Sequence, residues 1–218
     1  MKDKVIAIDE LSNIVKDSMT IMVSGFMGCG SPHKIIEKLV ELDVKHLTLI
    51  CNDTGLPQYG VGHMVANKQF DCIIASHIGL NREAVRQLNS NETKFELIPQ
   101  GTIAERIRCC GAGLGGVLTP TGIGTVVAEG KDIIEVDGQQ YLLEKPLKAD
   151  VAIIGAGVVD KRGNVCYNGS TRNFGPVMAT AADIVIVEAA QIVEIGEIKP
   201  ENVVTPHIFV DYIIDGGR

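Results

Sequence analysis

Apolar, strand-like runs alternate with helix-patterned stretches through the first two-thirds of this 218-residue sequence. The strand-like runs are residues 20–23, 47–51, 72–76 and 95–98. The first helical stretch places Ile35, Ile36, Leu39 and Val40 on one stripe, and a polar helix is expected around residues 81–91. This alternation predicts βαβ units, so we expect an α/β fold with a mostly parallel sheet flanked by helices.

The rest of the sequence interrupts this pattern once and then returns to it. Asp137-Gly138 lies between two short apolar runs and predicts a surface β-hairpin over residues 132–143. Glycine-rich stretches before the hairpin are expected to be loops, at residues 111–116 and 119–124. Further strands and one helix are expected after it, at residues 151–158, at residues 184–187 and after Asn173. We see no linker or internal repeat, so residues 1–218 are predicted to form a single domain.

The charge balance limits the classes of partner. The formal net charge is −7 and the pI is about 5.2, which gives no general attraction for nucleic acid or for anionic lipid. The first residues are too charged for a secretory segment, and the longest apolar run, residues 151–159, is far shorter than the roughly 18 residues of a membrane span. We therefore expect a cytoplasmic protein with no nucleic-acid or membrane partner.

Cysteine and histidine show no pattern of metal ligands. The six cysteines lie in apolar segments without C-x-x-C spacing, which favours reduced core thiols over a disulfide framework or a zinc site. The five histidines also lack ligand spacing. The sequence therefore predicts no metal site.

A glycine-rich segment, Ser24-Gly25-Phe26-Met27-Gly28-Cys29-Gly30, connects the first strand to the first long helix. Ser31 and Pro32 suit the N-cap and N1 positions of that helix. Glycines allow close approach of a ligand to the backbone, and free helix N–H groups favour an anion. The segment lacks the lysine of a P-loop and does not match G-x-G-x-x-G, so a tight strand-to-helix turn stays an equal alternative.

This segment, together with the residues before it, resembles the signature of the α subunit of family I coenzyme A transferases. Later segments resemble the same family in the same order; they are Asn52-Asp53-Thr54, Ser76-His77-Ile78-Gly79, Pro99-Gln100-Gly101-Thr102, Glu105-Arg106-Ile107-Arg108, residues 111–116, Thr119-Pro120-Thr121-Gly122 and Arg172-Asn173-Phe174. The resemblance spans nearly the whole chain. It is closest to acetate, butyrate or acetoacetate transferases, and it extends to the N-terminal half of succinyl-CoA:3-oxoacid CoA-transferases. The family usually has Gly-Gly-Phe where this chain has Ser24-Gly25-Phe26.

The resemblance implies a ping-pong transfer of CoA between a short-chain acyl-CoA and a carboxylate. CoA is then a cosubstrate, and no permanently bound cofactor is expected. In this family a glutamate of the β subunit, within a Ser-Glu-Asn-Gly motif, attacks the thioester. The only Asn-Gly in this chain is Asn168-Gly169, which follows Tyr167, so the motif is absent. The resemblance therefore implies a β-subunit partner, in an α2β2 or larger assembly.

The resemblance also assigns site residues. Residues 24–30 are expected to contact CoA, and Gln100 is expected to donate a hydrogen bond to the oxyanion. Asn52 and Asp53, at another strand end, are expected to line the acyl pocket. The residue types alone leave plainer alternatives open: Gln100 as a helix cap, and Asn52 and Asp53 as turn residues.

Two other functions stay open on the sequence. A sugar-phosphate isomerase of similar architecture would bind its ligand over the glycine loop and would need Glu105 or His77 as its acid–base residue. A CoA- or nucleotide-sensing module would use the same loop without chemistry. Glu105 is instead expected to form helical ion pairs with a neighbouring arginine, and His77 to be an ordinary polar residue.

Overall fold

The computed structural model describes residues 4–217. The helices are α1 (Leu11–Ile14), α2 (His33–Glu41), α3 (Gly62–Ala66), α4 (Arg82–Asn89), α5 (Gln100–Gly111) and α6 (Gly175–Met178). The strands are β1 (Thr20–Val23), β2 (Leu47–Asp53), β3 (Phe70–His77), β4 (Lys94–Leu97), β5 (Val117–Thr119), β6 (Ile133–Val136), β7 (Gln139–Glu144), β8 (Ala149–Asp160), β9 (Val165–Cys166), β10 (Ala182–Val193) and β11 (Tyr212–Asp215).

Eight strands form the main sheet, in the order β11-β10-β8-β1-β2-β3-β4, with β9 paired to β8. All neighbours along this path are parallel, and β9 is antiparallel. The prediction of a mostly parallel α/β sheet is confirmed. Because parallel strands share one carboxyl edge, the loops after β1, β2, β3 and β4 meet along a single rim.

Helices bury both faces of the sheet. Successive residues of β1 belong to opposite clusters, with Ile21 in the one and Met22 in the other. The first cluster contains apolar residues of α2, α3 and α4, and the second contains residues of α5 and α6. This two-sided burial explains why the strands of the sheet are almost continuously apolar in sequence.

The predicted hairpin is confirmed. β6 and β7 pair antiparallel around Asp137 and Gly138, whose φ angles of 52° and 77° are both left-handed, as a type I′ turn requires. β5 adds to β7, which makes a separate three-stranded sheet. Arg106 of α5 ties this small sheet to the main body, because its Nε donates to the carbonyl of Lys145 at 2.7 Å.

Some local predictions were wrong or incomplete. Helix α2 begins at His33 with Pro32 at the N-cap, and within the described chain no side chain caps it from that position, so Ser31 is not the cap. Helix α3 and strands β9 and β11 had no clear sequence signal. All six cysteines are free thiols in the described chain, but Cys29 is exposed and therefore lies outside the core. Over residues 4–217, no helix has the length and apolar character of a membrane span.

Candidate active site

The glycine loop forms a narrow turn above the end of β1. Phe26 and Cys29 exchange two backbone hydrogen bonds, of 3.0 and 2.9 Å. The two residues between them, Met27 and Gly28, have left-handed φ angles of 50° and 81°. Phe26 and Met27 are exposed at the tip. The loop therefore presents backbone and two apolar side chains outward.

Ser24 supports the loop from below. Its side chain is buried, and its hydroxyl donates to the carbonyl of Gly30 at 2.9 Å and accepts from the N–H of Gly155 at 2.9 Å. Asn173 holds the next peptide, because its Oδ1 accepts from the N–H of Gly25 at 3.1 Å. The serine that replaces the family's usual glycine thus fixes the base of the loop.

A second loop of the same shape follows β2, although no repeat was apparent in the sequence. Leu56 and Tyr59 form a bridge like that of Phe26 and Cys29, and the segment 54–60 shares the pattern small–Gly–apolar–three residues–Gly with 24–30. The two loops touch: a Cβ built on Gly28 would lie 2.0 Å from Cε1 of Tyr59. The rim after β1 and β2 is therefore one packed unit.

Asn52 and Asp53 end β2 directly beneath the glycine loop. Their exposed fractions are 1% and 4%. Asn52 Nδ2 donates to the carbonyl of Gly25 at 3.0 Å, and the Asp53 carboxylate accepts from the N–H of Met27 at 3.1 Å. Burial raises the pKa of Asp53, and the hydrogen bond from Met27 opposes that rise. Both side chains support the loop, and their contact with an acyl group stays a prediction.

Gln100 is exposed at the first turn of α5, immediately after β4. Its Nε2 donates to Asn52 Oδ1 at 2.5 Å, and its Oε1 accepts from the hydroxyl of Ser76 at the end of β3. The capping alternative is wrong, because Gln100 is the first residue of α5, after the N-cap Pro99, and its side chain bonds Asn52 and Ser76. The strand ends thus bring Gln100, Asn52, Asp53 and the glycine loop together.

Helix α2 does not offer its N-terminus to a ligand. The carboxylate of Glu188, on β10, accepts hydrogen bonds from the N–H groups of Lys34 and Ile35, the latter at 2.8 Å. The expected anion site at this helix end is therefore wrong, because a carboxylate of the chain already fills it. A cavity of about 240 Å³ lies beside it, walled by Gly30, Gly155 and Glu188. Pockets for drug-sized ligands span about 300–1,000 Å³, so this cavity holds only part of such a ligand.

A family model described as "Coenzyme A transferase" matches residues 5–216 of this sequence. The chain belongs to the coenzyme A transferase family. The acetate CoA-transferase subunit alpha of Escherichia coli (strain K12) is 50% identical over 214 residues, covering 98% of this chain and 97% of the relative. The acetoacetyl-CoA:acetate/butyrate CoA transferase alpha subunit of Clostridium acetobutylicum is 48% identical over 214 residues, covering 98% of each chain.

Solved structures of the coenzyme A transferase family share the fold. An acyl-CoA transferase from E. coli O157:H7, solved as a thioester complex with CoA, superimposes with a TM-score of 0.87 at 21% identity. The match covers 98% of this chain and 47% of that one, so this chain spans about half of the larger protein. At this identity the likeness establishes the architecture.

Glu105 and His77 are the acid–base residues that an isomerase would need, and they lie on two different elements of this CoA-transferase chain. Glu105 is exposed and pairs with Arg108 one turn along α5 at 2.7 Å, which is the expected helical ion pair. His77 is exposed at the end of β3, beside Asp53 in the sheet register. Among residues 4–217, no three His, Cys, Asp or Glu side chains are grouped as metal ligands would be.

Three residues of this rim received no role from the sequence. Ser76 and Asn173 belong to segments that carry the family resemblance, Ser76-His77-Ile78-Gly79 and Arg172-Asn173-Phe174, but nothing local predicts their contacts. Glu188 lies in an apolar strand. A single carboxylate is unusual in such a strand, and this was the sequence signal that could have identified Glu188. Each acts on a segment at least 24 residues away in the chain.

Proposed function

We propose that this chain is the α subunit of a heteromeric CoA-transferase. It moves CoA between a short-chain acyl-CoA, of the acetyl, butyryl or acetoacetyl type, and a carboxylate. The observation that carries the proposal is the exposed amide of Gln100, oriented beside the glycine loop at the carboxyl edge of the sheet. The names of the relatives at 50% and 48% identity support the substrate class.

The proposed reaction has two half-reactions. A glutamate carboxylate attacks the thioester carbonyl, and CoA thiolate leaves, which gives a mixed anhydride. The thiolate then attacks the glutamyl carbonyl, releasing the first carboxylate and leaving an enzyme–CoA thioester. The acceptor carboxylate reverses these steps and departs as the new acyl-CoA. Gln100 donates a hydrogen bond to the oxyanion that forms as the thioester carbonyl is attacked.

The attacking glutamate is proposed to come from a β subunit. The Ser-Glu-Asn-Gly motif is absent from this sequence, and the carboxylate that bonds the loop, that of Asp53, is buried and accepts from the N–H of Met27. Exposed apolar side chains on the loops of this rim, Phe26, Met27, Tyr59 and Leu80, suit a contact with another subunit. We propose an α2β2 or larger assembly with a contact of about 1,600 Å² or more between α and β.

The glycine loop is proposed to contact CoA, as the cosubstrate, through residues 25–30. Left-handed φ angles at Gly25, Gly28 and Gly30 allow the tight turn of the loop, and its exposed tip, at Phe26 and Met27, is the part open to a ligand. Ser24 supports this contact without touching CoA, because its hydroxyl is already hydrogen-bonded to the carbonyl of Gly30 and the N–H of Gly155. Asn52 and Asp53 likewise shape the pocket by holding the loop.

Reconstitution tests the proposal. The purified chain, a β subunit that carries Ser-Glu-Asn-Gly, and their mixture are assayed for transfer of CoA from acetoacetyl-CoA to acetate. We expect turnover from the mixture and none from either subunit by itself. Mass spectrometry after incubation with acyl-CoA should find the covalent CoA adduct on the β subunit.

Turnover by this chain alone, or an adduct on it, would contradict the division of labour between the subunits. Isomerisation of a sugar phosphate by the chain alone would support the isomerase alternative. CoA binding without turnover by the mixture would support the sensing module.

A further inference from the structure

One backbone carbonyl and three side chains at this rim form a continuous hydrogen-bonded chain. The carbonyl of Gly25 accepts from Asn52 Nδ2 at 3.0 Å. Asn52 Oδ1 accepts from Gln100 Nε2 at 2.5 Å. Gln100 Oε1 accepts from the hydroxyl of Ser76. The loop after β1 and the carboxyl ends of β2 and β3 are thereby joined to the start of α5.

The Gly25 carbonyl fixes the direction of every bond in this chain. A carbonyl can only accept, so Asn52 must turn its NH2 group toward Gly25. The oxygen of the Asn52 amide then faces Gln100, so Gln100 must donate to it from its own NH2 group. The oxygen of Gln100 is left facing Ser76, where the hydroxyl donates. A flipped Gln100 amide would place two oxygens against each other.

We propose that Asn52 and Ser76 are positioning residues that hold the Gln100 amide in the one orientation that leaves an N–H for the oxyanion. This inference rests on the proposed role of Gln100. Within residues 4–217, Gln100 Nε2 has one acceptor, Asn52 Oδ1, so its second N–H is available to a ligand. The oxygen, which would repel an oxyanion, is occupied by Ser76.

Burial makes this restraint effective. Asn52 is 1% exposed, so a flip of its amide would leave the Gly25 carbonyl and an N–H group unpaired away from water. The Ser76 hydroxyl has one proton, which it shares between two acceptors, Gln100 Oε1 and the backbone carbonyl of Asn52 at 2.7 Å. The amide of Gln100 is therefore oriented before substrate arrives, as preorganised stabilisation of an oxyanion requires.

The test removes the Ser76 hydroxyl in the complex with the β subunit. Ser76→Ala should lower kcat by about fivefold, the effect of one typical hydrogen bond, with KM changed less than about twofold. Ser76→Thr restores a hydroxyl and should recover most of kcat. Ser90→Ala is the matched control, because Ser90 also donates to a backbone carbonyl but lies at the end of α4; its kcat should equal that of the parent.

A double-mutant cycle with Gln100→Ala decides whether Ser76 acts through Gln100. If it does, Ser76→Ala should change kcat by less than about twofold when Gln100 is already alanine. Equal losses in both backgrounds, or no loss in Ser76→Ala itself, would overturn the positioning role while leaving Gln100 as the oxyanion donor. An unchanged kcat in Gln100→Ala alone would instead overturn the proposed role of Gln100.

Discussion

The carboxylate of Glu188 accepts a hydrogen bond from the backbone N–H of Ile35 at 2.8 Å, although the two residues lie on different elements. Glu188 belongs to β10, and Ile35 lies in the first turn of α2. The strand thus caps the helix, in place of the local Ser31 cap. A negative charge at this position also suits the positive end of the helix.

Glu188→Gln should keep the cap and Glu188→Ala should lose it. Glutamine still offers an oxygen to Ile35, so its free energy of unfolding should stay within about 0.5–1 kcal/mol of the parent. Alanine leaves the N–H groups without this acceptor and should cost about 1–2 kcal/mol. Urea unfolding of the two variants measures the difference. Equal losses in both would show that the hydrogen bond contributes nothing.

The pH dependence of stability should separate the parent from Glu188→Gln. Burial raises the pKa of Glu188 above its usual value, against the pull of the backbone N–H groups. A raised pKa in the folded state means that this group stabilises the fold most at low pH and less as pH rises through that pKa. The parent should therefore lose stability relative to Glu188→Gln as pH rises above the ordinary glutamate pKa of about 4.3. A relative gain over that range would contradict the assigned cause.

Gly28→Ala should destabilise the chain more than Gly113→Ala. Both glycines have left-handed φ, of 81° and 68°, so both variants pay about 1 kcal/mol for a side chain in that region. A Cβ at Gly28 also meets the ring of Tyr59 at 2.0 Å, whereas a Cβ at Gly113 has no neighbour within 4 Å among the described residues. Thermal unfolding compares them. Equal losses of stability in the two variants would mean that the Tyr59 ring moves aside at no cost, and would contradict the prediction.

Replacing Arg106 should cost far more stability than replacing Arg108 on the same helix. Arg106 is 9% exposed and lies between Glu96, at 2.9 Å, and the buried Glu144, at 3.8 Å. Arg106→Ala should cost about 1.5–3 kcal/mol, because it removes charge-assisted hydrogen bonds to Glu96 and to the Lys145 carbonyl, while the buried Glu144 keeps Lys131 at 2.6 Å. Arg108 is exposed and pairs with exposed Glu105, so Arg108→Ala should cost less than about 1 kcal/mol. Similar costs in chemical denaturation would contradict a structural role for the buried cluster.

Local chemistry explains which features could be predicted from sequence. The turn at Asp137 and Gly138 needs left-handed φ at both residues, and these two residue types tolerate that region better than most others. The parallel sheet follows from the repeated apolar runs. Both signals lie within a few residues of the structure they predict, and both were confirmed.

Contacts between distant segments explain what could not be predicted. The cap of α2 comes from Glu188, 153 residues beyond Ile35, so Ser31 and Pro32 gave a misleading local signal. Asn52 and Gln100 lie 48 residues apart, and neither shows in sequence that the other is its partner. The family resemblance named both residues as site residues, but their hydrogen bond is visible only in three dimensions.

Gln100→Ala should lower kcat of the complex by about 10²- to 10³-fold with little change in KM, because a preorganised oxyanion donor acts mainly in the transition state. Its melting temperature should fall by only a few degrees, since Asn52 Oδ1 loses one partner but no helix cap is removed. A kcat within about twofold of the parent would remove Gln100 from the proposed mechanism.

Gln100→Glu should lower catalysis far more than it lowers stability. A carboxylate in the first turn of α5 interacts favourably with the helix dipole, which should offset part of the structural cost of the substitution. The same carboxylate would set an oxygen against Asn52 Oδ1, which cannot turn away without breaking its bond to Gly25. It would also place negative charge beside the forming oxyanion and beside the attacking glutamate. We therefore expect kcat to fall at least as far as in Gln100→Ala, and activity above that of Gln100→Ala would contradict an electrostatic role for this amide.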